Sequence, residues 1–263
     1  MTFPLYQVDA FTDTAFAGNP AAVVLIDQPV DAQWMGRVAA EMNLSETAFV
    51  EPRETGVYGL RWFTPRVEVD LCGHATLAAA HVLWETGVEA TELHFETRSG
   101  RLTAVRRGQW IEMNFPADPS KAIVVPHELE PALRVKPMHV RRGRDDMLVE
   151  LESADAVRQV HPNFNKLAAL ADVRGIIVTA ASDDDRYDFI SRFFAPAAGI
   201  DEDPVTGSAH CTLGAYWAQK LRDDDLVGYQ ASPRGGVVRV RLDGDRVRLS
   251  GQAVTVLRGE LTA

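Results

Sequence analysis

Short runs of alternating apolar and polar residues occur along much of the chain, and such alternation is typical of β-strands with one buried face. Residues 238–242 (VRVRL) alternate, and so do residues 246–249 (RVRL). The segment 243–245 (DGD) between them predicts a β-hairpin, because Asp-Gly favours the tight turns that connect antiparallel strands. A second hairpin is predicted over residues 102–114, with its turn at Gly108.

Helical patterns interrupt these strands at four places. Residues 75–84 and 209–220 are apolar on most sides, which predicts two buried helices. Asp31 is a suitable N-cap for a helix that runs to Met42, and a further helix is predicted over residues 163–170. The other strand-like runs are 6–11, 21–26, 49–50, 59–63, 138–142, 147–151, 175–179 and 188–194. This mixture predicts an α+β fold in which a curved sheet surrounds a buried helix.

The chain repeats itself once. Three segments recur in the same order: RWFTP (61–65) as RFFAP (192–196), GHA (73–75) as GSA (207–209), and RSG (98–100) as RGG (234–236). The offsets of 131, 134 and 136 positions drift by only a few residues, so we predict an internal duplication. We expect two halves, residues 1–118 and 119–263, with the boundary in the proline-rich stretch 116–137 and a C-terminal strand able to cross back to the first half.

Two of the repeated segments lie where a loop turns into a predicted helix. Gly73 and Gly207 begin these helices, and glycine lets another group approach the backbone closely. A helix N-terminus presents unpaired N–H donors and a partial positive charge, which suits a carboxylate. A two-fold repeat would aim both helix ends at the cleft between the halves, so we expect a small carboxylate substrate there.

Five motifs occur in family order along nearly the whole chain: GNPA (18–21), NLSETAF (43–49), FTP (63–65), DLCGHAT (70–76) and DPVTGSA (203–209). Together they make the chain resemble the PhzF-like isomerases of phenazine biosynthesis. The resemblance implies the diaminopimelate-epimerase-like fold, shared with proline racemase, in which each half is a β-roll around a central helix. It further implies an isomerase that needs no cofactor, binds a carboxylate through helix-terminal N–H groups and moves protons with a glutamate.

Carried onto this chain, the resemblance implies Glu46 as the general acid/base, with His74 and Asp203 as further catalytic groups. It places the substrate against the following residues: Gly73, Gly207, Ser208, Asn19 and Cys72. By residue type alone, Glu46 on a loop after a helix would be an ordinary solvated side chain. Likewise, His74 could cap the helix start and Asp203 could be an N-cap.

The cysteines leave the mechanism open between two enzymatic readings. The epimerase relatives use two opposed cysteines, each just before a helix-leading glycine. Cys72 holds the first of these places, but Thr206 holds the second, and Cys211 aligns with a position inside the helix. We therefore expect a proton-shifting isomerase. The alternatives are an epimerase or racemase that uses Cys72, and a non-catalytic carboxylate-binding protein with the same fold.

Composition narrows the class of partner. The 263 residues carry a net charge of −10 and the pI is 5.2, which argues against nucleic acid or an anionic membrane. No apolar run reaches the length of a membrane span. Two cysteines are no disulfide framework, so we expect a cytoplasmic protein, and we predict a homodimer. We predict no metal, since Asp70, Cys72 and His74 alone rarely complete a coordination shell.

Overall fold

The computed structural model describes residues 2–170 and 172–262 and has a mixed α+β architecture. The chain divides into two compact units. The first contains the residues up to Asn114 and those from Ser250 on, and the second contains Phe115–Leu249. The first division lies four residues before the expected boundary at 118/119. The last strand pairs with the first strand of the chain, which is the crossing back to the first half that the sequence analysis allowed for.

The elements up to the first division run in chain order. The strands are β1 (Thr2–Ala10), β2 (Asn19–Leu25), β3 (Glu46–Glu54), β4 (Val57–Phe63), β5 (Glu68–Val69), β6 (Glu92–Thr97), β7 (Gly100–Arg107) and β8 (Trp110–Pro116). The helices are α1 (Ala32–Met42) and α2 (Gly73–Glu85). The predicted start of α1 is confirmed, since the Asp31 carboxylate caps it by accepting from the Trp34 N–H at 2.7 Å.

The remaining elements are also given in chain order. The strands are β9 (Lys121–Ala122), β10 (His139–Arg142), β11 (Asp146–Glu150), β12 (Gly175–Ala181), β13 (Phe189–Ala195), β14 (Ile200–Asp203), β15 (Asp225–Gln230), β16 (Gly236–Asp243), β17 (Arg246–Gly251) and β18 (Ala253–Thr262). The helices are α3 (Leu129–Leu133), α4 (Ala154–Arg158), α5 (Phe164–Ala168) and α6 (Gly207–Leu221), with a 3₁₀ turn at Pro196–Ala198.

The strand pairing repeats from one unit to the other. In the first unit β1–β2 is antiparallel, β2–β3 parallel, β3–β4 and β4–β5 antiparallel, β4–β6 parallel and β6–β7 antiparallel. In the second unit β10–β11, β11–β12, β12–β13, β13–β14, β13–β15 and β15–β16 pair in the same senses and order. This repetition is what a duplicated chain produces.

Helices α2 and α6 supply much of the two cores. In α2, Leu77 and Val82 are fully buried, and so are three consecutive alanines, Ala78, Ala79 and Ala80. Small side chains let the helix lie close against β1 and β2. In α6, Leu213 is fully buried and Trp217 nearly so. The sequence expectation of two buried helices is therefore met.

Short helices in the second unit were the main omission of the sequence analysis. The helix expected over 163–170 spans only Phe164–Ala168, and α3 and α4 were not expected at all. Each has five residues, which is too short for a 3.6-residue period to show in the apolar pattern. They are stabilised by packing in one cluster that includes Leu129, Val157 and Leu167.

Candidate functional site

The two long buried helices both begin without a side-chain cap. Helix α2 follows Cys72, whose backbone is extended (φ −146°) and whose side chain makes no capping hydrogen bond. Helix α6 follows Thr206, which likewise makes none. Uncapped first turns leave backbone N–H donors for another acceptor. Each start also carries the partial positive charge of its helix, so each is a suitable place for a carboxylate.

Glu46 lies at the first turn of α2. It is the first residue of β3 rather than a loop residue, and it pairs with Ala21 of β2. Its side chain is only 14% exposed, and Oε2 is 3.2 Å from Nε2 of His74, the second residue of α2. The expectation of a solvated loop glutamate from residue type alone is thus wrong, because the strand directs this carboxylate toward the helix start.

The His74 ring has neighbours on both of its nitrogen atoms. Nδ1 lies 3.3 Å from Asn19 Nδ2 and 3.6 Å from Cys72 Sγ. Burial lowers the pKa of His74 to about 4, so the ring is neutral at pH 7 and carries one N–H. Because the Asn19 amide donates to Nδ1, the proton belongs on Nε2. Nε2 lies 3.2 Å from Glu46 Oε2, but the geometry is not that of a hydrogen bond, so the neutral ring contacts the carboxylate without donating to it.

The same three side chains have the donor types of a metal site. Ligand atoms of Glu46, Cys72 and His74 all lie within 4.8 Å of one another. However, the imidazole meets the thiol through Nδ1 and the carboxylate through Nε2, whereas one ion would need both partners at the same nitrogen. Asp70, which we considered as a ligand, has a side chain 74% exposed and lies near Arg98 instead. The expectation of no metal stays a prediction.

Asp203 organises the loop that leads into α6. It ends β14, is 8% exposed, and accepts a hydrogen bond from Thr206 Oγ1 at 2.5 Å. The buried Gln230 amide donates to the Asp203 carbonyl at 2.8 Å and accepts from the Thr206 N–H at 2.9 Å. Asp203 is therefore not the N-cap of α6, because Thr206 holds that place. Gln230 was missed because it is distant in sequence.

Ser208 is exposed in the first turn of α6, whereas the residues on either side of it are buried. Its Oγ accepts a hydrogen bond from Arg174 Nη2 at 2.9 Å. Arg174 Nε in turn donates to Asp146 Oδ1 at 2.9 Å, and Nη2 also contacts Asp146 Oδ2. Sequence reasoning missed both charged residues. Arg174 directly precedes β12, just as Ser45 directly precedes β3. An alignment of the two halves strand by strand would therefore have identified Arg174 as a residue next to the site.

Strand register shows that the glutamate has no counterpart in the second unit. Glu46 pairs with Ala21 in the β2–β3 ladder, and Gly175 pairs with Asp146 in the equivalent β11–β12 ladder. A Cβ atom at Gly175 would lie 2.2 Å from Cζ of Phe193, so the aromatic ring occupies the space of a side chain. Of the predicted residues, Asn19, Glu46, Cys72, Gly73 and His74 thus lie in the first unit, and Asp203, Gly207 and Ser208 in the second.

A model of the phenazine biosynthesis-like proteins (PhzC-PhzF) matches residues 8–259. The chain belongs to the phenazine biosynthesis-like family. It is 55% identical to an uncharacterized isomerase of Halalkalibacterium halodurans over 99% of both chains. It superposes on the crystal structure of an Enterococcus faecalis PhzF-family protein with a TM-score of 0.96 and 41% identity over both full lengths.

A more distant likeness defines the fold. A probable proline racemase from Agrobacterium radiobacter superposes with a TM-score of 0.64 at 12% identity, covering 99% of this chain and 92% of its own. This member of the phenazine biosynthesis-like family thus has the epimerase-like α+β fold that the sequence predicted. The isomerase class is also confirmed, and it removes the non-catalytic alternative.

Other expectations about this family member stay predictions. None of the helices in the described part of the chain is long and apolar enough to cross a membrane. The homodimer, the cytoplasmic location, the carboxylate substrate, the lack of a nucleic-acid partner and the independence from a cofactor are not tested by any of these observations.

Proposed function

We propose that this isomerase moves a proton on a small carboxylic acid that has an acidic C–H bond, with Glu46 as the general acid/base and without a cofactor. The observation that carries the proposal is the contact between Glu46 and the neutral His74 ring at the uncapped start of α2. A carboxylate oriented at an anion-binding helix end lies close to the place where a substrate carboxylate would be held.

The proton transfer follows from this arrangement. A carboxylate oxygen of Glu46 takes the proton from the substrate carbon, and the electron pair of the broken C–H bond moves into the adjacent substrate π-system. The helix-terminal N–H groups stabilise the negative charge that develops on the substrate. Glu46 then returns the proton to another carbon of the same molecule, with the neutral His74 ring 3.2 Å from its carboxylate. The product is an isomer of the substrate.

The proposal also gives the start of α6 a role in binding the substrate. Gly207 and Ser208 supply donors for a carboxylate oxygen, and Asp203 holds the preceding loop through Thr206. In the first unit, Gly73 supplies backbone donors and Asn19 fixes the His74 ring. The family resemblance assigns these residues to the substrate, and the position of Gly73, Gly207 and Ser208 at uncapped helix starts supports that assignment.

An epimerase that uses Cys72 is the second candidate. The observation in its favour is the 3.6 Å distance between Cys72 Sγ and His74 Nδ1, which would let the imidazole take the thiol proton. Epimerisation must introduce a solvent hydrogen at the stereocentre, whereas a shift by one base can retain the substrate hydrogen. Cys72→Ser separates the two candidates, because a serine hydroxyl is a far weaker acid than a thiol.

A hydrogen-exchange screen tests the proposal. The purified protein is incubated in D₂O with small carboxylic acids and with their primary amides, and NMR follows deuterium uptake and new C–H signals. We expect conversion or exchange for one class of acid, none for its amide, and near-native rates for Cys72→Ser. If Cys72→Ser loses as much activity as Glu46→Gln, the epimerase candidate replaces the proposal. A turnover rate equal for acid and amide would contradict carboxylate binding.

A further inference from the structure

Ser208 is the residue of the second unit through which the proposed substrate contact would be made, and its hydroxyl is not free to point in every direction. Its Oγ accepts a hydrogen bond of 2.9 Å from Arg174 Nη2. A serine hydroxyl has one hydrogen and two acceptor lone pairs, whereas a guanidinium can only donate. On the side that faces Arg174, the serine must therefore be the acceptor, and its own hydrogen points elsewhere.

Arg174 is held so that this direction is fixed. Its Nε donates to Asp146 Oδ1 at 2.9 Å, Nη2 contacts the second carboxylate oxygen, and the guanidinium carbon lies 5.8 Å from the centre of the Phe193 ring. Asp146 is 2% exposed and is anchored in β11 opposite Gly175. A two-point contact of this kind fixes the plane of the guanidinium as well as its position.

Several charged groups around Ser208 are already engaged. Asp146 balances Arg174, and Asp203 accepts from Thr206 Oγ1. The partial positive charge of the α6 start and the adjacent guanidinium favour a negatively charged acceptor at the exposed hydroxyl. The carboxylates of Asp145 and Asp203, which also interact electrostatically with Arg174, oppose this preference.

We propose that Arg174 is a positioning residue that holds the Ser208 hydroxyl as an outward hydrogen-bond donor, so that this turn selects a carboxylate oxygen of the substrate. The inference rests on the proposed function, because it assumes that Ser208 contacts the substrate. It adds to that function a charged pair, Arg174 and Asp146, that has no equivalent at the start of α2, where Ser45 and Ala21 hold the corresponding places.

An NMR titration of the ¹⁵N-labelled protein tests this inference without knowledge of the substrate. Acetate is the probe and acetamide the neutral comparison, and the amide signals of Gly207, Ser208 and Ala209 report binding at the α6 start. We expect acetate to shift these signals and acetamide to shift them far less. Ser208→Ala and Arg174→Met should each weaken acetate binding about tenfold, as expected for one charge-assisted hydrogen bond.

The double variant separates positioning from an independent charge effect. If Arg174 acts through Ser208, then Ser208→Ala combined with Arg174→Met should bind acetate no more weakly than either single variant. Losses that multiply would overturn the positioning role. Unchanged acetate binding in Arg174→Met, or no acetate-dependent shift at α6 in the parent protein, would overturn the inference. The D₂O screen judges the proposed function separately, since it measures proton transfer.

Two further variants address folding and specificity. Burial raises the pKa of Asp146 and Arg174 opposes that shift, so Arg174→Met leaves a buried carboxyl without its partner. Arg174→Gln combined with Asp146→Asn keeps a hydrogen-bonded neutral pair and should fold, yet it should still lose acetate-over-acetamide selectivity. Arg174→Lys should restore part of the affinity. Arg158→Met is the matched control, because Arg158 makes a two-point contact with Asp183 and should leave acetate binding unchanged.

Discussion

Each unit contains an arginine–glutamate pair of nearly the same geometry. Arg61 donates from Nε and Nη2 to both oxygens of Glu68 at 2.7 and 2.9 Å, and Arg192 does so to Glu202 at the same two distances. Each guanidinium also lies over a phenylalanine ring two residues further on, at 5.2 and 4.9 Å. These pairs join strand β4 to β5 and strand β13 to β14, and thereby set the approach to the following helix.

The helix starts that these pairs support are different. The first has a glutamate and a buried histidine, whereas the second has a glycine at the glutamate position and an exposed serine at the histidine position. The duplicated strand framework has therefore been retained, while the glutamate–histidine contact at the start of α2 has no counterpart at the same register positions beside α6. The comparison shows that equivalent positions of a duplicated fold can carry different chemical groups.

The largest expected effect comes from Glu46→Gln. The change preserves size but removes the basic oxygen, so turnover should fall by about 10²–10⁴-fold. The rate is measured on the acid that exchanges in D₂O. Glu51→Gln, on the same strand but paired with Arg53, is the control and should retain the parent rate. A near-native rate for Glu46→Gln would show that the chemistry is not confined to the first unit in the way proposed.

The two arginines should differ in their effect on stability despite their shared geometry. The Arg192 side chain is 10% exposed and also donates to the Val160 carbonyl at 2.8 Å, whereas Arg61 is 35% exposed. Arg192→Met should cost about 3–5 kcal/mol of unfolding free energy, since it leaves the partly buried Glu202 carboxylate and the buried Val160 carbonyl without this donor. Arg61→Met should cost about 1 kcal/mol, because Arg98 still contacts Glu68 at 3.0 Å. Denaturant unfolding measures both, and equal losses would contradict the comparison.

Each unit also buries one helical histidine, and both should make the protein sensitive to mild acid. Burial lowers the pKa values of His74 and His210 to about 4, against about 6.5 in the unfolded chain. As the pH falls, these histidines are protonated in the unfolded chain before they are protonated in the folded protein. Their contribution to the free energy of unfolding is therefore complete above pH 6.5 and is lost as the pH falls toward 4. Between pH 7 and pH 5 each should contribute a loss of about 2 kcal/mol.

Substitution of one histidine at a time tests this expectation. His210→Asn should reduce the difference in unfolding free energy between pH 7 and pH 5, and His74→Asn should do so by a similar amount. His127, which is exposed, is the control position. A pH dependence unchanged in both variants would mean that the acid sensitivity comes from other groups.

The last comparison concerns the position that replaces Glu46 in the second unit. Gly175→Ala should destabilise by about 1–3 kcal/mol, because the added methyl group meets the Phe193 ring. Phe193→Leu should reduce that penalty in the double variant. Gly36→Ala is a useful control, since its nearest neighbour is 4.0 Å away. A neutral Gly175→Ala would show that packing does not prevent a side chain at this position.

Local patterns in the sequence were sufficient to predict the framework of strands, turns and long helices. The Asp31 cap and the left-handed Asn43 delimit α1 as expected, and Gly244 has the positive φ (62°) that the turn between β16 and β17 requires. These features depend on neighbours within a few residues. The short helices α3 and α4 were not foreseen, because they form only where the tertiary core packs against them.

The sequence by itself determined the duplication, the two buried helices, the family and the identity of most candidate residues, since motifs and periodicity are local and additive. The tertiary structure decided which of these residues touch. It brought Glu46 to the Nε2 side of His74 and Asn19 to the other side, and it joined Arg174 to Ser208 across 34 positions of chain. These contacts depend on strand register and on burial, which no pattern within a single segment can specify.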